Sequence, residues 1–290
     1  MSWHVVVIAS CCKLDYKMGY MALRSKDGVK KIYIDEIATV IVENTSVSIT
    51  ACLLSELVKR KVKIIFCDEK RNPSSEVVTL YGSHDCSAKI KKQMMWSKDI
   101  KASVWSEIVR EKIEKQADFL RELNKLSEAD ILEGYISEIE FNDTTNREGH
   151  SAKVYFNALF GKDFTRSKDN AINAALNYGY SIILSAINRE VTARGYLTQL
   201  GLFHDNMFNQ FNLSCDLMEP FRIIADRRVK ERGYCEFNSD EKHDMIGILN
   251  SEVIINSERQ YLMNAIKIYC KSVFDALCEN DISLIKFFEL

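Results

Sequence analysis

The chain has 290 residues, 47% hydrophobic and 28% charged, with two prolines and eleven glycines. That composition supports a sizeable core, as one large or two ordinary domains, and excludes a disordered or low-complexity chain. A net charge of −2 and a pI of about 6.3 exclude a globally basic nucleic-acid binder, so phosphate recognition would have to come from local patches.

Nine cysteines, an odd number without a C-x-x-C pair, point to neither a disulfide framework nor a zinc knuckle. Cys11, Cys12, Cys52, Cys67 and Cys270 lie in apolar surroundings and are expected to be small buried residues, in keeping with a reducing compartment. The stretch MSWHVVVIASCCKLDYK lacks the basic start of a signal peptide. No apolar run is long enough to span a bilayer. A cytoplasmic protein without a membrane partner is therefore expected.

In chain order, Trp3–Ser10, Tyr20–Arg24, Lys31–Ile34 and Thr39–Glu43 are short, rich in Val, Ile and Tyr, and separated by turn chemistry such as Lys26-Asp27-Gly28; they are predicted strands. Val47–Lys61 carries Ile49, Cys52, Leu53, Leu57 and Val58 at helical spacing. Val62–Cys67 and Glu76–Tyr81 read as strands around a loop at Asp68–Ser75, with Gly82 ending the second. Beyond Gly82–Ser87 the period becomes helical: Ala88–Arg121, Ile131–Glu140, Asn142–Phe160, Asp169–Thr192 (the most apolar and the expected core helix), Phe203–Phe211, Leu217–Lys230, and one or two helices over Glu241–Asn280. The fold class is α+β. Residues 1–82 are expected to form an N-terminal β-rich domain without a chemical cluster, read as an assembly module, and residues 83–290 a larger all-α domain.

The chemistry concentrates in Leu200–Arg232, which combines His204, the acids Asp216 and Glu219, and a basic run of Arg222, Arg227, Arg228, Lys230 and Arg232. Imidazole and carboxylates can hold a divalent ion, and the nearby cations can hold phosphates. Upstream, Glu148 is a further candidate ligand, although Thr145-Asn146-Arg147-Glu148 also reads as a capping box, the simpler reading on local sequence alone. His204 read alone is a satisfied histidine at a helix edge. Asp216 and Glu219, spaced i, i+3, would share a helix face, but Pro220 biases Glu219 away from the α region, so the helix starts late or kinks there. A second basic patch, including Lys89 and Lys92, has Trp96 and Trp105 nearby; it suits backbone contact and base stacking, and equally an exposed amphipathic helix. Gly179, inside an apolar helix, suggests close packing. No P-loop, G-x-G-x-x-G, H-E-x-x-H or G-x-S-x-G is present.

Four stretches in this order, REGHSAKVYF around Glu148, DNAINAALNYGYSIIL over Asp169–Leu184, GLFHDN around His204 and DLMEPFR over Asp216–Arg222, carry a resemblance over nearly the whole chain. The sequence resembles the CRISPR-associated integrase family, the first Cas protein, in the type II-A-like branch found beside single-effector RNA-guided nucleases. The resemblance implies an N-terminal β domain and a helical catalytic domain. It implies Glu148, His204 and Glu219 as ligands of Mg²⁺ or Mn²⁺ and as catalytic residues, with Asp216 as a near-site acid. Glu219 stands where many relatives have Asp. The implied partners are double-stranded DNA (fragment and repeat array), a second copy of the chain as a homodimer, the small second CRISPR-associated protein, and other adaptation and effector proteins of such systems.

The implied activity inserts short foreign DNA fragments into the repeat array by attack of a 3′-hydroxyl on a phosphodiester. Arg222, Arg227, Arg228, Lys89 and Lys92 are DNA-binding candidates by charge alone. A hydrolytic nuclease on branched or single-stranded DNA is the alternative, and a non-catalytic DNA-binding scaffold subunit the other.

Overall fold

A computed structural model describes residues 4–79 and 83–290. The expected strand over Glu76–Tyr81 and the expected boundary at Gly82 fall partly on residues 80–82, and Trp3 of the first expected strand on residues 1–3; these lie outside the described residues.

The first part builds two four-stranded sheets. One has the order β1 (His4–Ile8), β5 (Ile37–Val42), β7 (Lys63–Cys67) and β8 (Pro73–Glu76); its first three strands run parallel and β8 antiparallel. The other orders β4 (Gly28–Tyr33), β3 (Tyr20–Ser25), β2 (Lys13–Lys17) and the two-residue β6 (Ser48–Ile49). Sequence reasoning missed β2, whose KLDYK is too polar to stand out. The strand expected over Glu76–Tyr81 lies earlier: β8 begins at Pro73 on a sheet edge, where a missing N–H is tolerated. All six residues of β5, IATVIV, are buried, because this central parallel strand is covered on both faces. Helix α1 (Ala51–Lys59) starts where Thr50 Oγ1 accepts the Leu53 N–H at 3.3 Å. Cys12, Cys67 and Cys270 are buried as expected, whereas Cys11 and Cys52 are exposed.

The second part is mostly helical. The single helix expected over Ala88–Arg121 is two, α2 (Cys86–Met94) and α3 (Lys98–Glu122). The break occurs because Trp96 packs against Tyr196, with ring centroids 5.4 Å apart, and Ser97 caps a new helix by accepting the Ile100 N–H. There follow α4 (Leu126–Ser137), α5 (Arg147–Phe160), α6 (Ala171–Ala193), α7 (Asn212–Met218), a 3₁₀ turn at Glu219–Phe221, α8 (Arg222–Arg232) and α9 (Ser239–Ile246). The long helical stretch expected over Glu241–Asn280 is interrupted by a hairpin, β9 (Glu252–Ile255) and β10 (Glu258–Tyr261), before α10 (Leu262–Glu279). Asn256 and Ser257, both at positive φ, make its two-residue turn. Among the described residues no helix is long and apolar enough to cross a membrane.

The strand-rich and helical parts share a core: Ala38, Ile41, Ile65 and Cys67 belong to the same apolar cluster as α3, α6 and α10. Helix α6 is its centre, with Leu176, Ile182, Ile183, Ile187 and Val191 buried. Gly179 lets α8 approach: a Cβ there would lie 2.8 Å from Ala225 Cβ and 2.5 Å from Met245 Cε. Gly179→Val is therefore expected to overpack this contact and lower stability by about 1–3 kcal/mol, read as a fall in the urea midpoint with an unchanged slope. No fall would mean that the α6–α8 contact yields freely.

Beside the second half of α3, Phe221 stacks on Phe288 at 4.6 Å, Lys115 Nζ donates to the Phe288 carbonyl at 2.5 Å, and Ile254 and Glu289 exchange two backbone hydrogen bonds of 2.9 and 2.7 Å.

Candidate active site

Four segments converge on the site: the middle of α3, the first turn of α5, the irregular loop between α6 and α7, and the 3₁₀ turn before α8. On α3 the residues Trp105, Ile108, Val109, Ile113, Phe119 and Leu120 form a buried apolar stripe. Lys112 falls on that stripe and is only 6% exposed. Its ammonium donates to Glu148 Oε1 and, at 2.5 Å, to Glu219 Oε2. Burial works against that charge, yet Glu219 and Glu148 hold the Lys112 pKa above the ordinary lysine value.

Glu148 is free to reach Lys112 because other residues cap α5. Asn146, in the left-handed region at φ 53°, accepts the Gly149 N–H, and the Asp143 carboxylate accepts the N–H groups of Arg147 and Glu148 at 2.7 and 3.0 Å. The capping box expected of Thr145 and Glu148 is not formed; the Thr145 hydroxyl donates instead to the Glu138 carbonyl.

Glu219 opens a 3₁₀ turn between α7 and α8, but it keeps α-region dihedrals (φ −51°, ψ −46°), so Pro220 does not drive it out of the α region as expected. Its Oε1 accepts both Arg222 Nε (2.9 Å) and Arg222 Nη2 (2.8 Å), while Oε2 faces Lys112. Burial opposes the charge, but Arg222 and Lys112 hold the Glu219 pKa down to about 2.

The helix expected over Phe203–Phe211 is not there: this stretch is a loop. The side chains of Asn206 and Asn209 accept the N–H groups of Phe208 and Phe211 at 2.9 Å, and Asn212 bonds the carbonyls of Gln199 and Asn206. These local turns compete with helix formation. Gly201 seats the loop so tightly that a Cβ would meet the His204 carbonyl at 2.2 Å.

Asp216, fully buried on α7, is the hub of the loop. Its carboxylate accepts the N–H groups of Leu202 (2.6 Å), Phe203 (3.2 Å) and His204 (3.1 Å), and Oδ1 meets His204 Nδ1 at 2.5 Å. That bond, and then the charges of Asp216, Glu219 and Glu148, raise the His204 pKa. The shared face expected of Asp216 and Glu219 is thus not used jointly: one acid orients His204, the other meets Lys112 and Arg222.

Among the described residues no three His, Cys, Asp or Glu side chains stand close enough together to hold a metal ion. The donor set nevertheless fits a hard divalent cation. Glu148 and Glu219 already bring oxygens to one cationic centre, the ammonium of Lys112. Asp216 at Nδ1 leaves Nε2 of His204 as the nitrogen available to a ligand.

The basic candidates are largely engaged within the chain. Arg222 pairs with Glu219 and lies over the Tyr180 ring at 4.6 Å, Arg227 pairs with Glu122 over Phe119, and Arg228 pairs with Asp244 at 3.0 Å. Lys89 lies 3.9 Å from Asp85, and Lys92 is exposed on α2. Of the two tryptophans near that patch, Trp96 packs on Tyr196 and Phe274, and Trp105, 1% exposed, lies flat on Phe203 at 4.6 Å, so both are engaged within the chain.

Sequence reasoning missed Lys112, Asp143 and a buried pair behind the site, Tyr180 donating to Asp226 Oδ1 at 2.5 Å. The legible signal for Lys112 was a charge on an apolar stripe. Burial pushes the Asp226 carboxyl up from 3.8 to about 6, against the lowering effect of the Tyr180 hydrogen bond. The folded state therefore binds more protons than the unfolded state between these values, and stability from this group falls as pH rises through that window. Asp226→Asn is expected to be the more stable chain at pH 7.5, by about 1–3 kcal/mol, and to lose this advantage near pH 4, as read by urea unfolding at both values. An equal difference at both would remove the assignment.

The backbone superposes on a casposase bound to integration product with a TM-score of 0.74 at 16% identity, covering 97% of this chain and 92% of that one. It superposes on a chain of a Cas6-RT-Cas1–Cas2 complex with a TM-score of 0.75 at 15% identity, covering 97% of this chain and 36% of the longer one. A β-rich head followed by a helical part is thus a fold shared with that casposase and with the Cas1-containing chain. The profile of the family described as CRISPR associated protein Cas1 matches residues 5–232. The CRISPR-associated endonuclease Cas1 of Neisseria meningitidis serogroup C (strain 8013) is 35% identical over 266 residues, 90% of this chain and 87% of that protein. The chain belongs to the Cas1 family.

Proposed function

We propose that this chain is a metal-dependent DNA integrase of CRISPR adaptation, of the type II-A-like branch, which joins the 3′-hydroxyl of a short DNA fragment to a phosphodiester of the repeat array. One observation carries the reading. Glu148 and Glu219, distant in sequence, bring oxygens to a single cationic centre beside a histidine oriented by Asp216. Mg²⁺ or Mn²⁺ held by Glu148, His204 and Glu219 would supply Lewis-acid activation of the phosphoryl group. Arg222 holds the Glu219 carboxylate from behind, and Asp216 holds the imidazole in the tautomer that presents Nε2. Because the nucleophile belongs to the DNA, no protein nucleophile is needed.

Residues 1–82 would serve assembly and 83–290 catalysis. The working form would be a cytoplasmic homodimer bound to the small Cas2 protein and DNA; the Cas2 and DNA parts of this reading are supported by the Cas2-containing and product-bound assemblies of the structural relatives. Lys89, Lys92, Arg222, Arg227 and Arg228 remain the charged candidates for DNA contact. Met207 and Phe208, 87% and 85% exposed on the His204 loop, add an apolar surface suited to bases.

The test combines the purified chain, the small partner protein, a short duplex with 3′-hydroxyl ends and a supercoiled repeat-bearing plasmid, with Mn²⁺ or EDTA. Joined product that needs metal and disappears in His204→Ala and Glu148→Gln is the expected result. Cutting without joining would make the chain a hydrolytic nuclease. DNA binding indifferent to metal and to both substitutions would leave a scaffold subunit.

A further inference from the structure

We infer that Lys112 is the resident counter-ion of the cation site, and that a divalent ion enters by displacing its ammonium. The inference rests on the metal-dependent reading above. Lys112 Nζ touches Glu148 Oε1 and Glu219 Oε2, the oxygens that a bridging ion would need. A hard divalent ion sits about 2.0–2.6 Å from its carboxylate oxygens, so the ammonium and an ion bridging both acids compete for the same space.

Charge leads to the same conclusion. Glu148, Glu219, Lys112 and Arg222 form a balanced set of two anions and two cations. A divalent ion added to that set leaves two positive charges in excess in a site where Lys112 is 6% and Glu219 3% exposed. Burying charge without a partner is costly. With Lys112 displaced, the excess falls from two positive charges to the single one of Arg222, so Lys112 weakens loading as long as it keeps its place. The group suited to receive the displaced charge is an anion brought to the site, and on the proposed reaction that anion is the DNA phosphodiester. Loading of the ion and binding of DNA would then favour one another. The intramolecular ammonium would keep the site inert, and its two acids paired, when DNA is absent.

The experiment is a Mn²⁺ titration of the full metal-free chain, following the free-ion signal by electron paramagnetic resonance, for wild type, Lys112→Met and Lys112→Gln. Without DNA, Lys112→Met is expected to bind Mn²⁺ at least tenfold more tightly than wild type. Its metal-free Tm is expected to be lower and to be restored by Mn²⁺. A short duplex should tighten Mn²⁺ binding more in wild type than in the variant. Lys112→Gln, which keeps an N–H donor in the seat, serves if the methionine variant does not fold.

Equal or weaker Mn²⁺ binding in the neutral variants, with wild type binding normally, would overturn the inference and leave the metal-dependent reading intact. No Mn²⁺ binding by any form, with or without DNA, would overturn both. A measurement on wild type alone adds an independent criterion. Acylation of Lys112 by a small amine reagent, read by peptide mass spectrometry, is expected to rise several-fold when Mn²⁺ binds, and an unchanged rate overturns displacement.

Discussion

Glu219→Ala is expected to abolish strand joining and to destabilise the fold by about 3–5 kcal/mol, because removing one member of a buried ion cluster leaves its partners uncompensated. Glu219 is 3% exposed and neutralises both Arg222 and Lys112. Without it, Lys112 keeps Glu148, and Arg222 keeps the face of Tyr180 and the charge of Asp226. The two effects are separable. Glu219→Gln retains the volume and one acceptor, so it should recover part of the stability, measured by urea unfolding, while joining remains lost by a hundredfold or more. A glutamine variant that joins DNA at the wild-type rate would move the chemistry away from this carboxylate. An alanine variant of wild-type stability would show that water reaches the cluster and compensates it.

Asp216→Ala should produce the second large effect through architecture. One carboxylate satisfies three consecutive backbone N–H groups and the His204 ring. Orphaned donors cost about 1–3 kcal/mol each when buried. Because Phe203 and His204 are partly exposed, a total loss of about 2–4 kcal/mol is expected. Joining should fall about as far as in His204→Ala, since the imidazole loses its orientation, and the double variant should be no worse than either single one. Additive losses would mean that Asp216 and His204 act independently.

The candidate site was legible as residue types in ordered motifs, and much less so as geometry. Glu148, His204 and Glu219 could be named from the family-like stretches, but local patterns argued for a capping box at Glu148 and a shared acidic face at Asp216 and Glu219. Both failed for the same reason: a side chain with a strong long-range partner does not serve its neighbours. Asp143 and Asn146 took over the capping, and Lys112, distant in sequence, took Glu148. The Phe203–Phe211 helix failed because asparagine side chains close turns that no hydrophobic period reveals.

Long elements were found where the apolar period was strong, as in α6, and their interruptions were missed where one residue decides. Trp96 seeks a tertiary pocket, and Asn256-Ser257 turns a short hairpin inside an otherwise helical stretch. The basic run after Pro220 shows the limit of charge counting, since most of its guanidinium groups are engaged by acids that only the fold brings near.

The contact between Phe221 and Phe288 ties the Glu219–Phe221 turn to a segment far downstream. The Arg222 N–H is held by the Glu219 carbonyl, so its exchange needs an opening of the turn, and Phe288, fully buried against that turn, resists such an opening. Its own carbonyl is held by Lys115, one turn along α3 from Lys112. Loosening the downstream segment, as in Phe288→Ala, should therefore speed exchange at the Glu219–Phe221 turn well before it affects α6. The rigidity of the candidate site would then be governed by a residue that is itself fully buried.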